Sequence, residues 1–230
     1  MLYTEQTVRD NIRNRDGKRV FFLGPGDTLT PGARDYLREQ KIELRSAQEA
    51  AAREYRLLSG AAIGEKPEHM THLQGLTLVD KTHPRIGFRG KLDTLQGEIM
   101  LCQLNTKEPI RSQLGQILAE IRQILRCEVM DEPLPERSLC GLTEQEIRSH
   151  SHRPQDFYGQ PHFMPEYTDG EALLWINHCR CAAREAERMA VAAFVDTYGK
   201  VERPDILRAM NRVSSLLYIL MIRLKKEHSG

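Results

Sequence analysis

The sequence predicts a mainly α protein, a four- to five-helix bundle with a small β-α-β accessory unit ahead of it. Three observations lead there. Beyond Pro84 the apolar residues recur at three- and four-residue steps through four long segments, the spacing of helix faces and not of strands. Ahead of residue 60 the pattern changes to short apolar runs punctuated by Gly and Pro. At 230 residues the chain is long enough for one main domain and an accessory piece. Residues 1–63 are assigned to the accessory unit and its linker, and residues 64–230 to the bundle.

In chain order, Val20-Phe21-Phe22-Leu23 reads as a short strand closed by Gly24-Pro25-Gly26-Asp27. Thr30 and Pro31 are an N-cap and a first-turn proline for a helix from Gly32 to Gln40, and Ile42-Glu43-Leu44 is the second strand. Ala47 to Leu58, rich in alanine and charge, predicts another helix, which Ser59-Gly60 stops. Gly64 to Pro84, with its prolines and histidines, reads as a long loop with little regular structure.

The bundle helices follow. Phe88, Leu92, Leu95, Ile99 and Cys102 mark a helix running to about Lys107. After Pro109 comes a helix from Ile110 to Val129 with two apolar faces, one through Leu114, Ile117, Ile121 and Ile124, the other through Leu118, Leu125 and Val129. It should therefore be buried between neighbours. Thr143-Glu144-Gln145-Glu146 has capping-box spacing for a short helix, and residues 150–168 form a loop rich in His, Pro and aromatics. The third long helix, Gly170 to Tyr198, buries Ala172, Ile176, Cys179, Ala183, Ala186 and Ala193. The fourth, Pro204 to Lys226, buries Ile206, Met210, Val213, Leu217, Leu220 and Leu224.

Composition excludes several functions. Lys and Arg total 33 against 32 Asp and Glu, so no global positive field attracts nucleic acid or an anionic membrane. No apolar stretch approaches the roughly 20 residues of a membrane span. The charged start lacks the apolar core of a secretory signal, so a cytoplasmic location is expected. Five cysteines without a CxxC pair read as reduced thiols. His69 and His72, and His150 and His152, sit at close spacings, but HExxH is absent and no protein-held metal is expected. Neither GxxxxGK[ST] nor GxGxxG occurs.

Some polar residues fit a plain bundle poorly. Arg180, Arg184 and Glu187 fall at i, i+4 and i+7 with Arg188 at the edge, a stripe beside the alanine- and cysteine-rich face. It is either a solvated ladder of ion pairs or a site for a polyanion. On the fourth helix Asn211, Ser214, Ser215 and Tyr218 make a polar stripe within a very apolar segment, and buried amides and hydroxyls need partners. Guanidinium forks facing a carboxamide suit a polyphosphate beside a hydroxyl or base edge. Asp93, one turn beyond Arg89, either pairs with that arginine or crosses to an arginine on the third helix.

The stretches Lys81-Thr82-His83-Pro84-Arg85-Ile86-Gly87-Phe88-Arg89-Gly90-Lys91-Leu92-Asp93, Cys179 to Arg188, and Arg203-Pro204-Asp205-Ile206-Leu207 with Asn211-Arg212-Val213-Ser214-Ser215 together resemble ATP:cob(I)alamin adenosyltransferases. Met130-Asp131-Glu132-Pro133-Leu134 and Gly141-Leu142 place the likeness nearest the ethanolamine-utilization EutT type, related to the PduO type; it spans about Pro67 to Leu224. The resemblance implies a helical-bundle homo-oligomer, a trimer or dimer, with ATP bound between subunits and the corrinoid nearby. It assigns Lys81, Arg184, Glu187, Arg188 and Asn211 to ATP, with Mg2+ on the triphosphate, and Asp93 and Arg180 to an ion pair beside the corrinoid. Phe163 matches the aromatic that displaces the lower axial ligand, although the usual Pro-Gly-Gly after it is missing.

The implied reaction is attack of a corrinoid Co(I), in cob(I)alamin or cob(I)yrinic acid a,c-diamide, on C5′ of ATP with release of triphosphate. Arg184, Asp93 and Arg180 are the expected catalytic residues. No protein nucleophile is required, because the corrinoid supplies the reactive atom and the protein supplies orientation and charge. The resemblance also implies service to a B12-dependent lyase such as ethanolamine ammonia-lyase, and a reductase or bacterial-microcompartment shell as further partner. A non-catalytic corrinoid- or partner-binding adaptor of a microcompartment is the alternative.

Overall fold

The computed structural model describes residues 1–15, 18–46 and 55–229. They form two compact units, Met1–Val79 and Asp80–Gly230.

The first unit opens with β1 (Leu2–Tyr3), α1 (Glu5–Asp10), β2 (Arg13–Arg15), β3 (Lys18–Leu23), β4 (Thr28–Leu29), α2 (Pro31–Glu39) and β5 (Glu43–Ser46). β3 runs antiparallel to β2 and parallel to β5, with α2 as the crossover, so the expected β-α-β unit is present. The Thr30 side chain accepts the Ala33 N–H and Pro31 occupies the first turn, as the sequence predicts. Ala33 and Leu37 of α2 pack with Val8, Phe21, Leu29 and Ile42 into a small core of their own.

Two expectations in this region are corrected. Of the helix predicted over Ala47 to Leu58, residues 47–54 lie outside the described residues, while Tyr55–Leu57 is a strand, β6. The predicted loop from Gly64 to Pro84 contains β8 (Met70–Gln74) and β9 (Thr77–Asp80). With β7 (Ala62–Ile63) they complete a sheet of order β7-β6-β9-β8. Gly75, at φ +53, takes the left-handed conformation in the two-residue turn between β8 and β9. The buried residues there, Leu73, Leu78 and Val79, are too few to show alternation in the sequence.

The second unit is the bundle. Its helices are α3 (Pro84–Leu104), α4 (Ile110–Met130), α5 (Glu144–His152), α6 (Pro154–Tyr158), α7 (Glu171–Phe194) and α8 (Pro204–Ser229). A turn of 3-10 helix (Tyr167–Asp169) precedes α7. The segment read as one loop from 150 to 168 is thus partly helical. Pro154 suits the first turn of α6, and Gly159 at φ +67 ends it. The capping box is formed, Thr143 accepting from the Glu146 N–H while the Glu146 carboxylate accepts from the Thr143 N–H.

The predicted apolar stripes of α3 and α8 are buried in one continuous core. On α7, Ala172 and Ala193 are only half-buried, while the adjacent Leu173 and Phe194 take the buried positions at those two ends of the helix. α4 does not bury both faces: Val129 is exposed and Leu125 is partly covered. No helix among the described residues is long and apolar enough to cross a membrane.

The connection between α4 and α8 is held by charge. Arg203 donates from Nε to Asp205 Oδ1 at 3.0 Å and from Nη2 to Asp205 Oδ2 at 2.8 Å, and Nη2 also reaches the Glu132 carbonyl at 2.8 Å. Asp205 Oδ2 in turn accepts the Leu134 N–H at 2.9 Å. The Arg-Pro-Asp stretch is therefore a clip that ties residues 132–134 to the start of α8. Burial opposes ionisation of Asp205, but the Arg203 fork and the N–H groups of Leu134 and Ile206 outweigh it and hold the carboxyl at about 2, below the ordinary 3.8. A depressed folded-state pKa gives stability that is complete above the unfolded value and lost as pH falls through the folded one. Asp205→Asn should lower unfolding free energy at pH 7 by about 2 kcal/mol, and urea titrations at stepped pH should show the gap to wild type closing from about pH 4 to pH 2.

Candidate functional site

A cavity of about 960 Å3 opens along the flank where α7 and α8 lie side by side, roofed by the segment from His162 to Pro165. That is the upper end of the range for ligand pockets, roughly 300–1,000 Å3. From α7 it receives Asn177, Arg180, Cys181, Arg184 and Glu187; from α8, Asn211, Ser214, Ser215, Tyr218 and Met221. The two polar stripes thus face a common space. Helical periodicity causes this: Arg180, Arg184 and Glu187 are one turn apart, next to the buried Cys179, Ala183 and Ala186.

Between the helices the polar groups are organised. Asn211 Nδ2 donates to Glu187 Oε1 at 2.8 Å, and Ser214 Oγ approaches Glu187 Oε2 at 3.5 Å. Arg212 Nη1 donates to Asn211 Oδ1 at 2.6 Å, which fixes the orientation of the amide. Arg212 is only 9% exposed, and burial, with Arg148 nearby, lowers its pKa. The sequence motif contains Arg212 but gives no sign that it stands behind Asn211. Arg180 places its guanidinium 5.2 Å from the ring centre of Tyr218, within cation–π range. Glu187 is the one carboxylate among the described lining residues, against Arg180 and Arg184, so the cavity favours an anion.

The roof is tied down from the same side. Tyr218 Oη lies 3.1 Å from His162 Nδ1, and the Phe163 N–H donates to it at 3.3 Å. Lys225 Nζ sits 5.1 Å from the Phe163 ring centre and pairs with the nearly buried Asp169. Phe163 lines the cavity, although no Pro-Gly-Gly follows it.

Three expected site residues do not line this cavity. α3 and α7 are antiparallel, registered by Lys91 with Glu185 at 2.6 Å, by His178 with Glu98, and by Arg85 over the Phe194 ring. Lys81, before the start of α3, therefore lies toward the Phe194 end of α7, away from the Asn177-to-Glu187 stretch. Arg188 is exposed one residue beyond Glu187, turned about 100° around the helix from it. Asp93 is exposed and accepts from Gln96 Nε2 at 3.4 Å, while Gln96 accepts from Arg122 of α4. It faces the α4 flank, and within the chain it pairs with neither Arg89 nor Arg180.

A family model described as cobalamin adenosyltransferase matches residues 62–224. The chain belongs to the cobalamin adenosyltransferase family. Among curated relatives, the corrinoid adenosyltransferase EutT of Salmonella typhimurium strain LT2 is 29% identical over 249 residues, covering 98% of this chain and 92% of the relative. EutT of Escherichia coli K12 is 29% identical over 243 residues, covering 95% and 90%. Among solved structures, a variant PduO-type ATP:corrinoid adenosyltransferase from Lactobacillus reuteri complexed with cobalamin and ATP is similar at TM-score 0.54 and 14% identity. The match covers 70% of this chain and 91% of that one. A second variant of that enzyme, complexed with ATP, is similar at TM-score 0.53 and 15% identity. These structures share the bundle fold.

Within this member of the family the stretch from Lys81 to Asp93 has a buried electrostatic core that the sequence does not announce. Glu128, on the inner face of α4, is fully buried. Arg85 Nε donates to its Oε1 at 2.6 Å and Arg89 Nε to its Oε2, and Arg85 Nη2 also reaches the Glu128 carbonyl at 3.1 Å. His83 caps α3, its Nδ1 accepting the Arg85 N–H at 3.2 Å; burial and the two arginines lower its pKa, so it caps as the neutral ring. The only hint in the sequence is a glutamate in register with Ile121 and Ile124 on an apolar face. Removing one member of such a cluster leaves charge buried without compensation, at a cost of about 3–5 kcal/mol. Glu128→Ala should lose that much in chemical denaturation, whereas Glu185→Ala, which breaks the exposed pair with Lys91, should lose less than about 1 kcal/mol.

Proposed function

We propose that the protein transfers the 5′-deoxyadenosyl group of ATP to the Co(I) of a corrinoid, releasing triphosphate. The observation that carries this reading is the convergence of Arg180 and Arg184 from α7 with the Glu187–Asn211–Arg212 chain at one cavity. In the reaction the cobalt electron pair forms the Co–C5′ bond while the C5′–O bond breaks and its electrons leave on triphosphate. Negative charge grows on the leaving group, and preorganised guanidinium groups stabilise it without reorientation. Arg184 is assigned to the triphosphate, and Asn211 with Glu187 to the nucleoside. Arg180, steadied by the Tyr218 ring, faces the corrinoid. Phe163 crowds its lower face, excluding water and the lower ligand.

Cys179, buried on the inner side of α7, fits a reaction without a protein nucleophile. Its hydrogen bond with Cys102 and its burial both push the Cys179 thiol up, away from the reactive thiolate. With Glu187 already held by Asn211 and Ser214, Mg2+ belongs on the triphosphate oxygens. Lys81, Asp93 and Arg188 lie off the cavity of their own chain, so a second copy in a dimer or trimer is proposed to bring them to ATP and the corrinoid. The likeness to EutT relatives supports service to a B12-dependent lyase such as ethanolamine ammonia-lyase, with a cytoplasmic location in or near a microcompartment and a reductase or shell protein as partner.

The test is an assay of Co(I) absorbance loss and triphosphate release with a corrinoid, reductant, ATP and Mg2+. Both should occur together, and Arg184→Ala should lower kcat/KM by about 100-fold or more. Corrinoid binding with no triphosphate release would replace this reading with that of a non-catalytic adaptor.

A further inference from the structure

We infer that the Tyr218 hydroxyl is the positioning group that latches Phe163 into the cavity, and thereby sets how the site ranks corrinoids by their lower-face substituent. The inference rests on the proposed function for its second half and on geometry alone for its first. The hydroxyl is used twice. His162 Nε2 lies 3.2 Å from the His152 carbonyl, which can only accept, so Nε2 carries the proton and Nδ1 is the acceptor. Tyr218 therefore donates to His162 Nδ1 and accepts the Phe163 N–H, taking two consecutive roof residues through one oxygen.

The rings add to this. His162 and Phe163 both stack with the Tyr218 ring, at 5.8 and 6.0 Å between centres, and Arg180 lies over the same ring. One side chain thus couples the roof to the arginine beneath it. The stretch that carries the roof runs from Gly159 to Gly170, both at positive φ, where the backbone turns sharply. Beyond Phe163 it is tied again by Lys225 and Asp169. Between those ends the hydroxyl is placed to decide whether the Phe163 ring stays directed into the cavity or swings with the exposed Met164 beside it.

Tyr218→Phe keeps the ring and removes the oxygen, and His162→Ala removes the latch from the roof side. In the full-length protein, hydrogen–deuterium exchange over residues 159–166 should become about tenfold faster in both variants. The α7 and α8 peptides should keep their rates. Unchanged exchange in the roof would overturn the latch. Cobinamide lacks the lower nucleotide base that Phe163 is proposed to exclude. The ratio of kcat/KM for cobalamin to that for cobinamide should therefore fall roughly fivefold or more in both variants, the loss expected of one hydrogen bond. A general folding defect lowers both values together, so an unchanged ratio refutes the specificity role. A wild-type protein that adenosylates neither corrinoid overturns the proposed function and the specificity role with it, while the exchange rates still decide the latch.

Discussion

The geometry of the cavity depends on how closely α7 can pack. Its buried stripe is built from small residues, Cys179, Ala183, Ala186 and Ala190, set against the larger Met210, Val213, Leu217 and Leu220 of α8 in a shared core. Small residues let helix axes approach at the near end of the usual 8–10 Å range. The residues flanking the stripe lie within hydrogen-bond reach of each other, as Asn211 and Glu187 are at 2.8 Å. A bulky residue at Ala183 would push the axes apart and separate the arginines from the amide, even though it touches neither. The polar site is thus a consequence of the apolar seam beside it.

Charge in this protein is graded by burial. Exposed pairs contribute little, whether they join neighbours on one helix, as Arg9 with Glu5 and Arg38 with Asp35, or two helices, as Lys91 with Glu185. The buried groups join different elements: Glu128 of α4 binds two arginines of α3, and Asp205 of α8 binds Arg203 and the Leu134 backbone. These ties hold the Lys81 end of α3 and the start of α8 in fixed places. Around the cavity the grading reverses. Arg180 and Arg184 are partly or largely exposed and, unlike Arg85 and Arg89, are not saturated by a carboxylate. A cationic group left available in a concave site, when the same protein neutralises its structural arginines, is what a site for an incoming anion requires.

Legibility followed periodicity. The four long helices were readable because their stripes repeat over many turns, and the stripe of Arg180, Arg184 and Glu187 was readable for the same reason. The hairpin at Met70–Asp80 was not, since its strands are short and each offers only one or two buried residues. Contacts between elements were legible only in kind. Asn211 announced itself as polar within an apolar helix, but nothing local tells that Arg212 orients its amide, that Glu128 lies between two arginines, or that Asp93 turns toward Gln96 and α4. Those facts arise from the register between helices, which the spacing within one helix does not encode. Phe163 is marked in the sequence by likeness alone; Tyr218 is visible there as a polar position, and its contacts with His162 and Phe163 follow from how that segment folds onto α8.

That register also bears on assembly. The buried packing of Phe88, Leu92 and Leu95 of α3 in one core with Ala183, Ala186 and Ala190 of α7 fixes their register, which Lys91 with Glu185 and Arg85 with Phe194 mark, so no small rearrangement within the chain brings Lys81 along α7 to Arg184. Moving it there would require sliding α3 by more than one helical turn, which would break the Glu128 cluster and expose Phe88 and Leu92. A second copy meets the same requirement without disturbing either chain. The exposed apolar residues Met100, Leu101 and Leu104 on the distal half of α3 give such a copy a surface to cover. On the proposed assignment of Lys81 to ATP, the rigidity of the bundle is the reason to propose a second copy: a chain whose helices do not slide would complete its site by repetition.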